Sequence, residues 1–422
     1  MPVQTPHDLS QPSPVQPRNP DRPVVAGPIA LPETRPATGT ERPPVALSTD
    51  RPVPVLALLA LLVFGLGAGA ARADRHRQHP HRAQQQRQRR QRQREARADQ
   101  TRALTLSTIA FTACFAVWTI FSIIGVAIKG ELGLNDTQFG LLVATPILTG
   151  SLTRIFLGVW TEKYGGRLVF STQMLLAALA TWALTFADSY PMYLLAALGV
   201  GLAGGSFIIG VAYVSRWYDA GHQGTALGIF GAGNIGAAVT KFVAPFVMVG
   251  FGWQGVANVW AAGLALMAVI FFVFAKDDPS LVERRRTGAK PPSFAQQFAP
   301  LKNLQVWRFS LYYFFVFGGF VALALWLPRY LIGVYGLDIV TAGLLGAAYS
   351  IPGSLFRILG GTLSDQYGAR KVMYWTFIGS LVCTFLLSYP ATHYVVSGIK
   401  GPIEFTFALG FLPFMILTFC LG

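Results

Sequence analysis

Charge is what this chain has least of. Only 13% of its 422 residues are charged, 52% are hydrophobic and the mean hydropathy is +0.45. A soluble domain usually has about a quarter charged residues, so this composition suits lipid better than water. Acid is scarcer than base, 19 Asp and Glu against 34 Lys and Arg, and none lies in the interior of the long apolar runs. Cysteine numbers three: Cys114, Cys383 and Cys420, far apart, in apolar stretches, with no His beside them. That excludes a disulfide framework and a metal site. No nucleophile–base or metal constellation appears, so there is no basis for an enzyme, and nothing implies a cofactor. The net charge of +15 is a poor argument for nucleic acid, because much of the excess sits in one run, Arg72 to Arg102, outside the apolar region.

Residues 1–53 are rich in Pro, Thr and Arg, show no apolar period and read as disordered. Val55–Ala71 is apolar and borderline long enough to span. Ala-Arg-Ala at 71–73 imitates a cleavage site, although a signal peptide would not begin so deep in a chain. Three readings compete for it: an extra anchor, a decayed signal, or upstream sequence attached by a misplaced start codon, the last favoured. A solvated basic segment follows, so residues 1–102 as a whole read as a disordered Pro/Arg-rich extension.

From Leu104 the pattern becomes that of a polytopic membrane protein. About 20 apolar helical residues cross a bilayer core of roughly 30 Å. Candidate spans are 104–128, 138–160, 168–188, 191–214, 225–250, 255–275, 306–332, 340–361, 372–389 and 403–422. The longest polar connection, 276–305, contains Arg284-Arg285-Arg286 and divides a six-helix half (103–275) from a half of four (306–422). Lys163, Arg167, Arg216, the 276–308 region, Arg370 and Lys371 fall on one side, with only Lys129, Arg329 and Lys400 opposite. By the positive-inside rule the N-terminus and central loop are cytoplasmic. The shortage of spans in the second half leads us to expect a fragment lacking its last two.

Two stretches nearly repeat each other: GLNDTQFGLLVATPILTGSLTRIFLGVWTEKYGGRLV from Gly133 and GLDIVTAGLLGAAYSIPGSLFRILGGTLSDQYGARKV from Gly336. Gly140 matches Gly343, Arg154 matches Arg357 and Arg167 matches Arg370 at one offset (357 − 154 = 203). Repeats inside membrane-spanning sequence point to a carrier of duplicated halves. Arg154 lies eight residues before Glu162, about 12 Å deep at 1.5 Å per residue, and Arg357 stands at the same depth before Asp365. A guanidinium so placed must face protein or water. A salt bridge would need a carboxylate, which the spans lack; snorkelling is strained at that depth. Two unpaired cations at equivalent sites are better explained by an anion from outside, and arginine's planar fork suits a flat oxyanion.

GVWTEKYGGR (158–167) and GGTLSDQYGAR (360–370) are loop signals, and they resemble the loop motif of the major facilitator superfamily. Glu162 stands where that motif has Asp, and Gln366 where it has a basic residue. The resemblance implies structural and gating roles for Gly158, Glu162, Arg167, Gly361, Asp365 and Arg370. Gly231-x-Gly233-x-x-Gly236 formally matches a dinucleotide fingerprint, but it lies inside an apolar run with no strand before it. Small residues at such spacing make a helix-packing face. Gly-Asn-x-Gly-Ala-Ala here, with Gly-Ser-Leu-x-Arg at 150–154 and 353–357, resembles the nitrate/nitrite porter family of that superfamily across residues 104–422.

The resemblance implies an all-α major facilitator fold of two pseudo-symmetric six-helix halves, truncated here after about ten spans. It implies that Arg154 and Arg357 clamp nitrate or nitrite, that Asn234 adds a polar contact, and that Phe207, Tyr313 and Phe317 sandwich the planar anion; ordinary packing accounts for the aromatics as well. Lys241 is a further cation inside the fifth span, pointing to a helix end on one reading and serving as a coupling or anion-attracting group on the other. The expected activity is proton-coupled nitrate uptake by alternating access across the inner (plasma) membrane. Nitrate/nitrite antiport, or carriage of another small organic anion, is the alternative. Partners are the anion, membrane lipid and, in the first case, protons; nucleic acid is not among them.

Overall fold

The computed structural model describes residues 55–389, 392–398, 401–407 and 409–422, with side chains from 87 onward save those of 405 and 407. Residues 1–54, read from sequence as disordered, lie outside it. The described residues divide into two units, one up to residue 79 and one from residue 80, and the candidate site lies in the second. Helix α1 (Val55–Trp118) bends through a short tight turn into α2 (Ile124–Leu132). There follow α3 (Asp136–Tyr164), α4 (Gly166–Ala183), α5 (Tyr190–Val200), α6 (Ser206–Ser215), α7 (Gln223–Gly231) and α8 (Gly236–Phe274). Short α9 (Pro279–Thr287) and α10 (Phe294–Phe298) form the central connection. The second half is α11 (Leu304–Tyr335), α12 (Ile339–Tyr367), α13 (Ala369–Leu387), strands β1 (Thr392–Gly398) and β2 (Gly401–Phe407), and α14 (Phe411–Leu421).

Seven helical stretches among the described residues are long and apolar enough to cross a membrane. One of them, Gln223–Phe274, is 52 residues long and is broken at Gly252 (φ 70°, ψ 177°), so it makes two passes. Residues such as Leu195, Val249 and Phe251 point large apolar side chains outward, which only lipid would tolerate in such number.

The repeat extends to the backbone of the helix ends. Asn135 caps α3 in a reciprocal pairing with Gln138, and Asp338, at the same offset, caps α12 by accepting from the Val340 and Thr341 N–H groups. Gly133 and Gly336 precede the caps at φ 61° and 65°. Gly165 and Gly368 end the two helices at φ 90° and 87°, a conformation that a side chain disfavours. Equivalent starts and stops hold the two arginines at equivalent heights.

Two sequence expectations need correction. Residues 55–102 are not disordered: they belong to α1, whose Arg87–Arg97 face is solvent-exposed but helical. Arg, Gln and Ala are good helix formers, and extending an existing membrane helix avoids a new nucleus. The last candidate span, 403–422, is not one helix. Its start pairs as β2 against β1 in a hairpin running from Thr392↔Phe407 to Gly398↔Gly401, and only the 11 residues of α14 are helical. The β-branched and aromatic run Thr392–Phe407 favours strands, a preference that a hydropathy average does not register. The 372–389 candidate corresponds to α13, a helix of 19 residues opening on Arg370 and Lys371, which is not among the seven.

Candidate anion site between the two repeats

Arg154 projects from the middle of α3 and Arg357 from the middle of α12. Their guanidinium carbons each stand 5.5 Å from the centroid of one ring, Phe317 of α11, and so lie within twice that distance of each other. Arg154 is also flanked by Trp118 at 5.7 Å and Phe207 at 5.8 Å, and Arg357 by Phe320 at 5.7 Å. Ring faces attract such cations by about 0.5–2 kcal/mol without neutralising them. Arg154 Nε donates to the Gly204 carbonyl at 3.2 Å and Arg357 Nε to the Gly353 carbonyl at 3.3 Å. Among the described residues neither arginine has a carboxylate partner to neutralise it.

Asn234, fully buried in the tight turn between α7 and α8, faces Arg357. With its amide oxygen turned to the guanidinium it accepts from Nη1 and Nη2 at 2.8 Å and from Nε at 3.0 Å. This holds the guanidinium from the opposite repeat. Gly231, one turn before, gives it room: a Cβ there would sit 3.2 Å from Arg357 Cδ.

The aromatic residues form one stack. Tyr313 and Phe317 lie 4.9 Å apart at 15°, Phe207 and Phe317 6.0 Å at 22°, and Phe207 and Tyr313 5.9 Å at 24°. Nearly parallel rings wall the slot between the two planar cations, a surround that suits a flat anion. The Tyr313 phenol is within electrostatic reach of both arginines. The structure thus brings together Arg154, Arg357, Asn234, Phe207, Tyr313 and Phe317.

Sequence reasoning missed two rings of the same wall. Trp118 donates its indole N–H to the Pro146 carbonyl at 2.9 Å and lies so close to α3 that a Cβ on Gly150 would be 2.9 Å from its nitrogen. In the second repeat Phe320 plays the same part, 2.6 Å from a Cβ on Gly353. Each Gly-Ser-Leu-x-Arg segment therefore uses its glycine, one turn before the arginine, to admit a ring from the first helix of its own half. The cue was in the segment; the ring it admits lies in another helix and could not be read locally.

Lys241 of α8 does not point to a helix end. It is fully buried, and its ammonium donates to the Gly346 carbonyl at 3.2 Å and to the Ser350 hydroxyl, both on α12.

The loop residues behave unequally. Asp365 accepts from the Gly224 N–H at 3.0 Å and from the Thr225 N–H and hydroxyl at 2.7 Å each, so a carboxylate of the second repeat caps α7 of the first. Gly361 lies against Gly224, where a Cβ would come within 2.3 Å of the carbonyl oxygen. Glu162 pairs with Arg216, which also holds the buried Asp278 at 3.0 Å, and Arg167 donates to the Phe272 carbonyl at 2.8 Å. Gly158 makes only ordinary contact with Ile208, and Arg370 is exposed at the start of α13. At the end away from these loops, Phe139 meets Trp326 edge-on at 5.6 Å, and Asp136 faces Arg329 at 3.7 Å and Lys129.

Residues 106–421 match the model of the family described as the Major Facilitator Superfamily. A Thermus thermophilus protein named probable nitrate/nitrite antiporter NarK1 is 42% identical over 342 residues, 77% of this chain and 75% of its own length. The nitrite extrusion protein of Bacillus subtilis is 32% identical over 68% of this chain and 71% of itself. A probable nitrate/nitrite transporter NarK2 of Mycobacterium tuberculosis is 32% identical over 76% and 78%. Among solved structures, a bacterial homologue of the human lysosomal transporter Spinster, inward-facing and unoccupied, superposes with a TM-score of 0.54 at 19% identity, covering 76% of this chain and 72% of that one.

Proposed function

The chain belongs to the major facilitator superfamily, in its nitrate/nitrite porter family, and on that premise we propose that it carries nitrate, and nitrite with it, across the membrane by alternating access. The observation behind this reading is the pair of carboxylate-free guanidiniums, one from each repeat, facing the same Phe317 ring. Two like charges in a low-dielectric slot repel. An anion between them turns that repulsion into attraction and lets the halves close around it. A planar anion also suits the flat ring faces that wall the slot. Arg154 and Arg357 clamp it, Asn234 orients Arg357, and Phe207, Tyr313 and Phe317 set the width. The chain acts as a carrier and not as a catalyst of bond chemistry.

The remaining parts follow from the same reading. Residues 103–275 and 306–422 belong to the two transport halves, joined by the 276–305 connection and preceded by an extension of residues 1–102. Gly158, Glu162, Arg167, Gly361, Asp365 and Arg370 gate the loop side. That side is cytoplasmic, with the N-terminus, in a plasma membrane, because the positive charge gathers there.

Coupling is to protons, with Lys241, an amine enclosed inside a span, as the group concerned; the lack of a carboxylate in the interior of the spans speaks for exchange. Exchange of nitrate for nitrite is the second reading, favoured by the name of the Thermus relative. The test is isotopic nitrate uptake into proteoliposomes holding the full chain. Saturable uptake abolished by Arg154→Ala or Arg357→Ala is expected, and uptake indifferent to both substitutions would sink the reading.

A further inference from the structure

Lys241 is the only charged residue between Gly236 and Phe274, and it is wholly enclosed. Its aliphatic stem fits because α12 has glycine where the two helices cross. A Cβ on Gly343 would stand 2.5 Å from the Lys241 carbonyl, and one on Gly346 would stand 3.2 Å from Lys241 Cδ. Its head is bonded to Gly346 and Ser350 of the other repeat and to no anion. The charges on the elements packed around α8 face elsewhere: on α2, Lys129 turns to Asp136 and Glu131 to Trp253, and on α4 Arg167 turns to Phe272. On α12, Arg357 lies seven residues beyond Ser350, about 10 Å along the axis. On α11, Pro328 abuts Gly346, and the next residue, Arg329, turns to Asp136. Tyr349 is the neutral titratable neighbour of Ser350, and α1 presents only the uncharged stretch Thr112–Ala116 to the start of α8. A methionine or leucine would fill this slot with no charge to desolvate, so packing does not explain an amine here.

Resting on the proton-coupled reading above, we propose that Lys241 holds the transported proton, and that its bond to Ser350 latches the seam between α8 and α12 on the side away from the loops. The step makes and breaks only an N–H bond. When the seam parts, the amine takes a proton from the water admitted there and becomes an ammonium. When the seam shuts, that ammonium is enclosed without a counter-ion, and the anion held by Arg154 and Arg357, two turns away, lowers the positive potential it faces. Once the anion leaves on the loop side that relief is gone, and the proton passes to water in the emptied slot. Anion and proton thus favour each other's binding, and by linkage the coupling is reciprocal.

The experiment follows luminal acidification and isotopic nitrate entry together in proteoliposomes, giving protons moved per nitrate. Nitrate affinity is read separately, in detergent, from tryptophan fluorescence against pH. The unmutated chain should acidify the lumen as nitrate enters. Lys241→Gln should lose acidification relative to any nitrate it still moves, and its affinity should become independent of pH. Lys241→Arg should behave likewise, because arginine does not give up its proton. Ser350→Ala keeps the amine and should retain acidification while the pH profile of affinity shifts; it carries the test if Lys241→Gln does not fold. Lys241→Gln with the parental proton-to-nitrate ratio would overturn the proposal. So would an unmutated chain that moves nitrate without acidification, which leaves anion carriage standing. A chain that moves neither anion would overturn both.

Discussion

Asp365 of α12 accepts twice from Thr225 of α7, from its backbone N–H and from its hydroxyl, at 2.7 Å each. The donor is the first turn of a helix in one repeat and the acceptor belongs to the other. This carboxylate therefore does between halves what a capping residue normally does within a helix, and a cap of this kind is worth about 1 kcal/mol. Asp365→Ala should leave the purified chain folded with a modestly lower melting temperature. It should also change the rate of transport more than the affinity for nitrate, because the bond lies in the seam and not in the slot. Thermal unfolding and initial uptake rates against nitrate concentration check this; a large loss of affinity with an unchanged rate would contradict it.

Gly360 and Gly361 are adjacent and should respond oppositely to the same change. A Cβ on Gly360 meets nothing within 4 Å, whereas one on Gly361 would lie 2.3 Å from the Gly224 carbonyl oxygen. Gly360→Ala should be neutral or stabilising, by up to about 1 kcal/mol, since alanine is the better helix former. Gly361→Ala forces two backbones apart and should cost about 1–3 kcal/mol. Melting temperatures of the two variants in the same detergent measure the difference directly.

The arginines should not tolerate lysine. Arg154→Lys and Arg357→Lys keep the charge but lose the fork that aligns a planar oxyanion between Phe207, Tyr313 and Phe317. Hydrogen bonds to charged groups contribute about 1.5–3 kcal/mol, so each variant should bind nitrate roughly ten- to hundredfold more weakly. Equilibrium titration followed by intrinsic tryptophan fluorescence, to which Trp118 contributes from 5.7 Å beside Arg154, reads this without relying on transport.

The repeat, and with it the pairing of Arg154 with Arg357, was legible because one offset governs caps, arginines and terminal glycines alike. Helical passes were legible because apolar length is a strong signal. What escaped depends on contacts between distant segments or on a different period. Trp118 and Phe320 are unremarkable aromatics until Gly150 and Gly353 are seen to make way for them. The burial of Lys241 rests on glycines a hundred residues away, at Gly343 and Gly346. Hydropathy merged β2 with α14 because strand and helix are equally apolar there. The helicity of 87–102 was hidden by its charge, which says where a segment is solvated and not whether it is coiled.

Asn234 offers the sharpest test of why the slot has no acid. Its amide faces all three outer nitrogens of Arg357 and orients that guanidinium without neutralising it. Asn234→Asp alters the shape of the side chain hardly at all but places a carboxylate at 2.8–3.0 Å from the same nitrogens. The resulting ion pair would be internal and enclosed, and any anion entering the slot would have to compete with it and approach a like charge. Nitrate affinity should fall further in Asn234→Asp than in Asn234→Ala, even though the aspartate is the closer mimic. Thermal stability should order the other way, with the aspartate variant the firmer of the two. If Asn234→Asp binds nitrate as well as Asn234→Ala does, the guanidinium of Arg357 is not where the cargo's charge is met, and the case for a two-arginine clamp fails with it.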